Sequence, residues 1–410
     1  MTEPNDDADL QDDLWNEGSA DAAPELPGAR DTQPMAPLPG DAAGIDAPSM
    51  RCAVIGTGAL GRHHVRILSE LDEAALIGIY DLRPEIAEDL AAAHGTESYG
   101  SIDGLLDAVD AVVLAVPTYA HANLAIKALE AGCHVLVEKP IASSVEDADR
   151  MVAAAERAEK LLSVGHVEFY NPAVQALLAE PNAPRFLEIQ RLAPFTPRSL
   201  DVDVILDLMI HDLQILHALD PSPVEEVRAT GIEVLSSRVD IVNARIALAS
   251  GLVANITASR VSAESVRKLR AFLPHRYFSI DYREQSIKGY GLELIDGQRL
   301  IRPEDRNITP VEPLRAELRA FLAACRGEDV PIVDGVQGRR ALATALTVGA
   351  DAASRTPSIA VALEETETAP MAEPLTDEIP RPELPASVDD GDGTPTDNAD
   401  AAYDDSENAS

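Results

Sequence analysis

Three residues have types and positions suited to moving a proton. Lys139 is the middle residue of Glu138-Lys139-Pro140, which follows the short apolar run His134-Val135-Leu136-Val137. Asp207 and His211 are four residues apart in the strongly apolar stretch Ile205 to Leu213, so on a helix they share one face. Burying such a pair is costly unless it has partners. Histidine, with an ordinary pKa of about 6.5, suits a general base at neutral pH. An ammonium group beside a reacting carbinol would stabilise the developing alkoxide. The expected chemistry is therefore removal of a hydroxyl proton by His211, with Asp207 orienting the imidazole and favouring its protonated form.

The hydride leaving the same carbon needs an acceptor. Gly56-Thr57-Gly58-Ala59-Leu60-Gly61 follows the apolar run Cys52-Ala53-Val54-Ile55 and opens a helical pattern. The first glycine allows a tight turn, the second lets a pyrophosphate approach the backbone, and the third lets helix and strand pack closely. The phosphates then face the unpaired N–H groups of a helix start. Asp81 ends the next strand, where a carboxylate accepts bonds from ribose hydroxyls and repels a 2′-phosphate. The expected cofactor is NAD, with NADP disfavoured, although Arg83 two residues on softens that preference. Pro117, Thr118 and His121 follow a further strand and are expected to face the cofactor. His63 and His64 are expected to pack or cap.

These groups need a scaffold that brings strand ends together. Strands at Ala75–Tyr80, Ala111–Val116, His134–Val137 and Leu161–Gly165 alternate with helices at Pro84–His94, Tyr119–Ala131 and about Ser144–Lys160. That rhythm predicts an α/β, doubly wound parallel sheet over residues 50–170. After Asn171-Pro172 the pattern changes. One apolar helix at Val204–Leu219 precedes strand-like runs at Val224–Val234, Val239–Leu248, Leu252–Ser259, Leu269–Phe272, Tyr277–Tyr282 and Ser286–Ile295. Helices at Pro313–Arg326 and Val336–Ser354 follow. This predicts a second α+β domain at 171–362 built on a largely antiparallel sheet.

The net charge of −37 is unevenly distributed. Residues 1–49 carry 12 acidic side chains and one basic, and residues 364–410 carry 15 and one, leaving −12 for the rest. Both ends, 1–49 and 363–410, lack a sustained apolar period and are expected to be disordered acidic tails. Leu10, Leu14 and Trp15 form a short apolar island that suits a docking motif. The charge disfavours nucleic acid. Three cysteines, odd in number and set in apolar runs, suit a reducing compartment and no metal site. With no apolar run of about 18 residues and no signal-like start, a soluble cytoplasmic protein is expected, with no membrane partner.

The segments GTGALGRHH (56–64), VPTYAH (116–121), AGCHVLVEKP (131–140), VGHVEFYNP (164–172), LDLMIHD (206–212), EPLRAEL (312–318) and VDGVQGRRAL (333–342) resemble the Gfo/Idh/MocA oxidoreductase family. The resemblance implies a Rossmann domain plus an open, mainly antiparallel sheet that commonly forms the interface of a homo-oligomer. It also implies oxidation of a sugar or cyclitol hydroxyl, with Lys139 and His211 as the catalytic pair supported by Asp207. Glu138 joins the cofactor site, and His166, Glu168, Tyr170 and Asn171 join Lys139, Asp207 and His211 around the substrate. Within the family the chain is similar to enzymes of UDP-N-acetylamino sugars, including those that oxidise the 3-hydroxyl. It departs from them at Phe169, where an arginine is usual, and at Asp203 and Gln214. Two other readings stay open: NAD-assisted glycoside hydrolysis on the same fold, and a non-catalytic dinucleotide-binding module.

Overall fold

In the computed structural model, residues 49–196 and 203–355 are described. The acidic tails, including Leu10 to Trp15, lie outside the described residues apart from position 49. The first sheet is parallel and has six strands: β1 (Met50–Ile55), β2 (Ala74–Tyr80), β3 (Glu97–Ser98), β4 (Ala111–Leu114), β5 (His134–Glu138) and β6 (Leu162–Gly165). Their order is β3-β2-β1-β4-β5-β6. β1, β4, β5 and β6 are almost continuously buried, as a sheet covered on both faces requires. The helices are α1 (Gly61–Glu70), α2 (Pro84–His94), α3 (Ile102–Leu106), α4 (Thr118–Glu130) and α5 (Val145–Ala158). Pro84 opens α2, and Gly95 closes it with a left-handed φ of 65°. Ser144 caps α5 by accepting the Asp147 amide at 3.1 Å.

A short helix, α6 (Pro172–Leu178), leads into a mixed sheet of eight strands. Its strands are β7 (Phe186–Leu192), β8 (Val224–Ile232), β9 (Ile241–Leu248), β10 (Val253–Ser259), β11 (Val266–Leu273), β12 (Arg276–Asp281), β13 (Ser286–Ile295) and β14 (Gln298–Pro303). The order is β14-β13-β12-β11-β7-β10-β9-β8, antiparallel throughout except for the parallel pair β7–β10. Strand β7, which the sequence reading passed over, sits in the centre.

One face of this sheet is covered. Alternate residues such as Leu187, Ile189, Leu269, Ala271, Phe278 and Ile280 are buried there, with α7 (Ile210–Leu219) and α9 (Gly335–Arg355) in the covering layer. Residues Ile205–Met209, before α7, form one π-helical turn in place of the expected α-helix. The Ile210 amide there bonds to the Ile205 carbonyl, five residues back.

The last helices do not stay with the second sheet. Leu318, Phe321 and Leu322 of α8 (Pro313–Cys325) share a core with Val54, Val65, Leu68 and Leu136 of the parallel-sheet layer. Farther on, Gly338 of α9 approaches Val164 so closely that a Cβ would lie 2.5 Å from its side chain. The Val164 amide also donates to the Val333 carbonyl at 2.9 Å. The segment expected to close the second domain thus completes the first, and residues 50–170 do not bury their own surface alone.

Candidate active site

The glycine loop has the space that its spacing predicts. Gly56 has a φ of +92°, and a Cβ there would lie 2.4 Å from the Ala115 carbonyl oxygen. A Cβ on Gly61 would lie 1.9 Å from the Gly56 carbonyl oxygen. Gly58 has nothing within 4 Å of its Cβ position, so the loop is open where a pyrophosphate would approach. Ala59 and Leu60 are exposed beside it. Thr57 is buried, and its amide and hydroxyl both donate to Asp81 Oδ2, at 2.8 and 2.9 Å. Burial opposes charge on Asp81, but these bonds and that from the Arg83 amide hold its carboxyl below the usual range. Arg83 Nε lies 3.3 Å from Asp81 Oδ1, so this guanidinium is drawn to the acid. A charged Asp81 and an open Gly58 fit an NAD molecule.

Pro117 and Thr118 begin α4 at the carboxyl edge of β4, where the cofactor was expected. His121 is placed differently. It is buried, its Nδ1 lies 3.0 Å from the Pro140 carbonyl and its Nε2 lies 2.8 Å from the Val116 carbonyl. Both ring nitrogens are spent on backbone, so His121 holds the two strand-end loops together instead of contacting ligand. Glu138 is likewise turned inward, with Oε1 2.7 Å from Nε2 of the fully buried His64.

Lys139 precedes a cis peptide bond to Pro140. Its Nζ donates to the Asp207 backbone carbonyl at 2.6 Å and to Asp207 Oδ1 at 3.1 Å. An ammonium has three donors, so one remains for a substrate oxygen. This corrects the expected role of Asp207: its carboxylate serves Lys139, and no hydrogen bond joins it to His211 among the described residues. The physical reason is charge: an ammonium is a stronger partner for a carboxylate than a neutral imidazole. Asp203 caps the turn by accepting the amides of Ile205 and Leu206 at 3.0 and 2.9 Å.

His211 instead meets His166 edge to face, with ring centroids 5.8 Å apart. Its Nδ1 and both nitrogens of His166 are buried without a hydrogen-bond partner. Burial, then Lys139 and Arg191, push the His211 pKa well below the usual histidine value. Burial and Lys139 push that of His166 down to about 3. Asp207 thus does not favour a protonated His211 as expected; burial and the neighbouring cations favour the neutral form, the one that accepts a proton.

The remaining residues divide by what their polar atoms do. Glu168 accepts Arg191 Nη1 at 2.7 Å beside the site. Asn171 is buried, with its amide donating to the Tyr282 carbonyl at 2.9 Å and its oxygen accepting the Ala173 amide at 3.1 Å. Tyr170 is fully buried and its hydroxyl accepts the Val333 amide at 3.3 Å. Asn171 and Tyr170 thus support the site from behind, contrary to their expected contact with substrate.

Sequence reasoning also missed Arg191, Asp212, Tyr282 and Glu317. Arg191 makes a bidentate pair with Asp212 (Nε–Oδ2 2.9 Å, Nη2–Oδ1 2.7 Å) and lies 5.0 Å from the Tyr282 ring centroid. The signal for Arg191 was available, since it occupies the inward register of Leu187 and Ile189. Glu317 of α8 is fully buried with both carboxyl oxygens unpartnered. Among the described residues, no group of three or more His, Cys, Asp or Glu side chains is arranged to hold a metal ion.

The sequence pattern of the oxidoreductase family with an NAD-binding Rossmann fold matches residues 50–166. The UDP-N-acetylglucosamine 3-dehydrogenase of Acidithiobacillus ferrooxidans is 40% identical over 302 residues, covering 73% of this chain and 96% of that relative. A solved structure of that dehydrogenase superposes with a TM-score of 0.70 at 38% identity, covering 75% of this chain and 99% of the other. The myo-inositol 2-dehydrogenase of Thermotoga maritima is 27% identical over 319 residues, covering 72% and 93% of the two chains. A levoglucosan dehydrogenase, solved with NADH and levoglucosan, shares the fold at 18% identity with a TM-score of 0.67, covering 75% of this chain and 98% of that one.

The glycines separate binding from folding. Gly58→Ala is expected to keep the thermal stability of the parent and weaken NAD affinity at least about tenfold, the cost of one charge-assisted bond to phosphate. Gly61→Ala is expected to lower the melting temperature as well. Titrating NADH fluorescence alongside thermal melts checks both. Equal NADH affinity in Gly58→Ala would show that the pyrophosphate does not pass over this glycine.

Glu317 yields a pH dependence. Burial and then Glu138 raise its carboxyl well above the usual range, so the folded protein keeps a proton there. The unfolded chain releases that proton above about pH 4.3. The stability linked to it is complete below that pH and is lost as pH rises towards the folded-state value. Glu317→Gln should therefore gain melting temperature over the parent as pH goes from 5 to 8. A constant difference across that range would show Glu317 to be ionised in the folded state.

Proposed function

The chain belongs to the Gfo/Idh/MocA oxidoreductase family, and from that premise we propose that it oxidises the 3-hydroxyl of a UDP-N-acetylhexosamine. It is an NAD-dependent dehydrogenase. NAD, when bound, supplies the hydride acceptor. Gly58 and the exposed amides of Ala59 and Leu60 would receive its pyrophosphate, Asp81 its ribose hydroxyls, and Pro117 and Thr118 would border it. His211, neutral and buried, takes the hydroxyl proton. Lys139, with Asp207 holding its ammonium in place, directs its third donor at the developing alkoxide. The cations that make His211 a weak base also lower the energy of that alkoxide, so proton loss and charge stabilisation are linked.

The observation that carries this reading is the Lys139 ammonium, fixed at the carboxyl end of β5 with one donor unspent and near enough to His211 for its charge to act on the imidazole. The substrate class follows from the 40% identity to a UDP-N-acetylglucosamine 3-dehydrogenase. The same features disfavour a non-catalytic module, which has no use for a lysine held with a free donor. We also place the protein in the cytoplasm, because Cys52, Cys133 and Cys325 are all unpaired thiols. No helix among the described residues is long and apolar enough to cross a membrane.

Incubating the purified chain with NAD and a panel of UDP-sugars, free sugars and inositols, with NADH absorbance and product mass as readouts, tests the assignment. Oxidation of UDP-N-acetylglucosamine to its 3-keto product is expected. Release of a free aglycone without NADH accumulation would favour the hydrolytic alternative. Lys139→Met should lower kcat by about 100- to 1,000-fold and leave NADH binding intact. An unchanged kcat would remove Lys139 from the chemistry.

We further propose that the protein is a homo-oligomer whose contact is the outer face of the eight-stranded sheet. Phe186, Phe272, Tyr277 and Tyr290 are successive register partners across β7, β11, β12 and β13, so they form one aromatic row. Tyr290 is 56% exposed. A second copy of the same face would cover the row. Light scattering should give a multimeric mass that Tyr290→Glu lowers. A monomeric parent would refute the contact.

A further inference from the structure

Arg191 of β7 and Arg267 of β11 are direct register partners, so both side chains leave the sheet on its covered face. The other positions of β11 in that register, Leu269, Ala271 and Leu273, are buried. The Arg267 side chain is instead 46% exposed, so the covering layer opens above it. This opening adjoins the proposed base. Asp212 and Glu168, which hold Arg191, lie one residue beyond His211 and two beyond His166.

The two guanidinium groups there are unequally held. Arg191 uses Nε and Nη2 on Asp212 and Nη1 on Glu168. Glu168 Oε1, already held by Arg191 at 2.7 Å, is 3.8 Å from Arg267 Nη1. Glu168 thus serves both guanidinium groups while Asp212 serves Arg191, and the Arg267 side chain makes no hydrogen bond among the described residues. Its pKa is pushed down by burial of its surroundings and by the adjoining Arg191. Arg283, exposed, adds a further positive charge nearby. A planar fork of unspent donors matches a phosphate group.

We propose that Arg267 is a substrate-anion residue, receiving the diphosphate of a sugar nucleotide while the sugar ring reaches His211 and Lys139. This rests on the sugar-nucleotide reading above and assigns its specificity to a residue. In a nucleotide-linked hexosamine the diphosphate is on C1, two ring carbons from the one that carries the 3-hydroxyl. Anchoring the anion therefore selects which hydroxyl meets the base. It also explains how the site would discriminate against free sugars, since an uncharged ligand leaves the two guanidinium groups with their shared carboxylate.

The test compares the full-length parent with Arg267→Gln and Arg267→Lys, using UDP-N-acetylglucosamine, free N-acetylglucosamine and inorganic pyrophosphate as an inhibitor. Arg267→Gln should raise the KM for the UDP-sugar and the inhibition constant for pyrophosphate by about 10- to 100-fold, the range for a lost charge-assisted bond. Its kcat should stay within about threefold. Arg267→Lys should recover part of the loss, because it restores charge without the fork. The KM for NAD, which carries its own pyrophosphate, should not change; this also reports that each variant is folded. If Arg267→Gln binds the UDP-sugar and pyrophosphate as the parent does, the assignment is overturned. If the parent oxidises no sugar nucleotide, the proposed function fails, and pyrophosphate binding to the NADH-loaded parent and variant still decides whether Arg267 is an anion site.

Discussion

The bond on which the site depends is the one between Lys139 and Asp207. Lys139 ends a strand of the parallel sheet, and Asp207 is on the turn before the central helix of the second domain. Two contacts from one ammonium, to a carbonyl at 2.6 Å and a carboxylate at 3.1 Å, tie the layers together where ligand must enter. Half-buried ion pairs of this kind do not add much stability by themselves, because desolvation offsets attraction. Their value here is positional. A free lysine would sample many rotamers, whereas this one presents its remaining donor in a narrow range of directions.

That positioning shapes the surrounding electrostatics. His211 is buried, Lys139 and Arg191 both oppose charge on it, and no carboxylate is bonded to its ring among the described residues. A protonated imidazole there would face two cations without solvent, so the neutral form prevails. His166, packed edge-on against it, is neutral for the same reasons. An Asp–His pair would have produced a stronger base and a weaker electrostatic field for an alkoxide. Assigning the aspartate to the lysine produces the opposite balance, which suits the proposed oxidation, in which negative charge develops on oxygen.

Legibility in the sequence followed the range of the interactions involved. The glycine loop, Asp81, the strand ends and most helices were readable because each depends on a few consecutive residues: the turn at Gly56, the cap at Ser144, the left-handed stop at Gly95. Strands β8 to β13 of the second sheet were readable within a few residues, whereas β7 and β14 were passed over and the strand order was not legible, since nothing local pairs β7 with β10 and β11. The π-turn at Ile205–Met209 escaped for a related reason. It has no compositional mark, and the carboxylate of Asp207 within it is bonded to Lys139. His121, Tyr170 and Asn171 looked like ligand contacts because they are polar residues beside motifs. Whether a polar atom meets ligand or backbone is decided by distant segments, here Pro140, Val333 and Tyr282.

The same long-range dependence makes the two layers a single structural unit. Had α8 remained on the second sheet, the domains could hinge about the crossing at residue 171, and Lys139 would lose Asp207 whenever they opened. Instead Leu318, Phe321 and Leu322 fill the parallel-sheet core. Gly338 lies against Val164, and Glu317 is sealed near Glu138, the residue before the lysine. Separating the layers would expose that core and break the Val164–Val333 backbone bond as well as the Lys139–Asp207 contacts. Cofactor loop, lysine and substrate face are therefore presented on one scaffold, and the site is organised by packing before any ligand arrives.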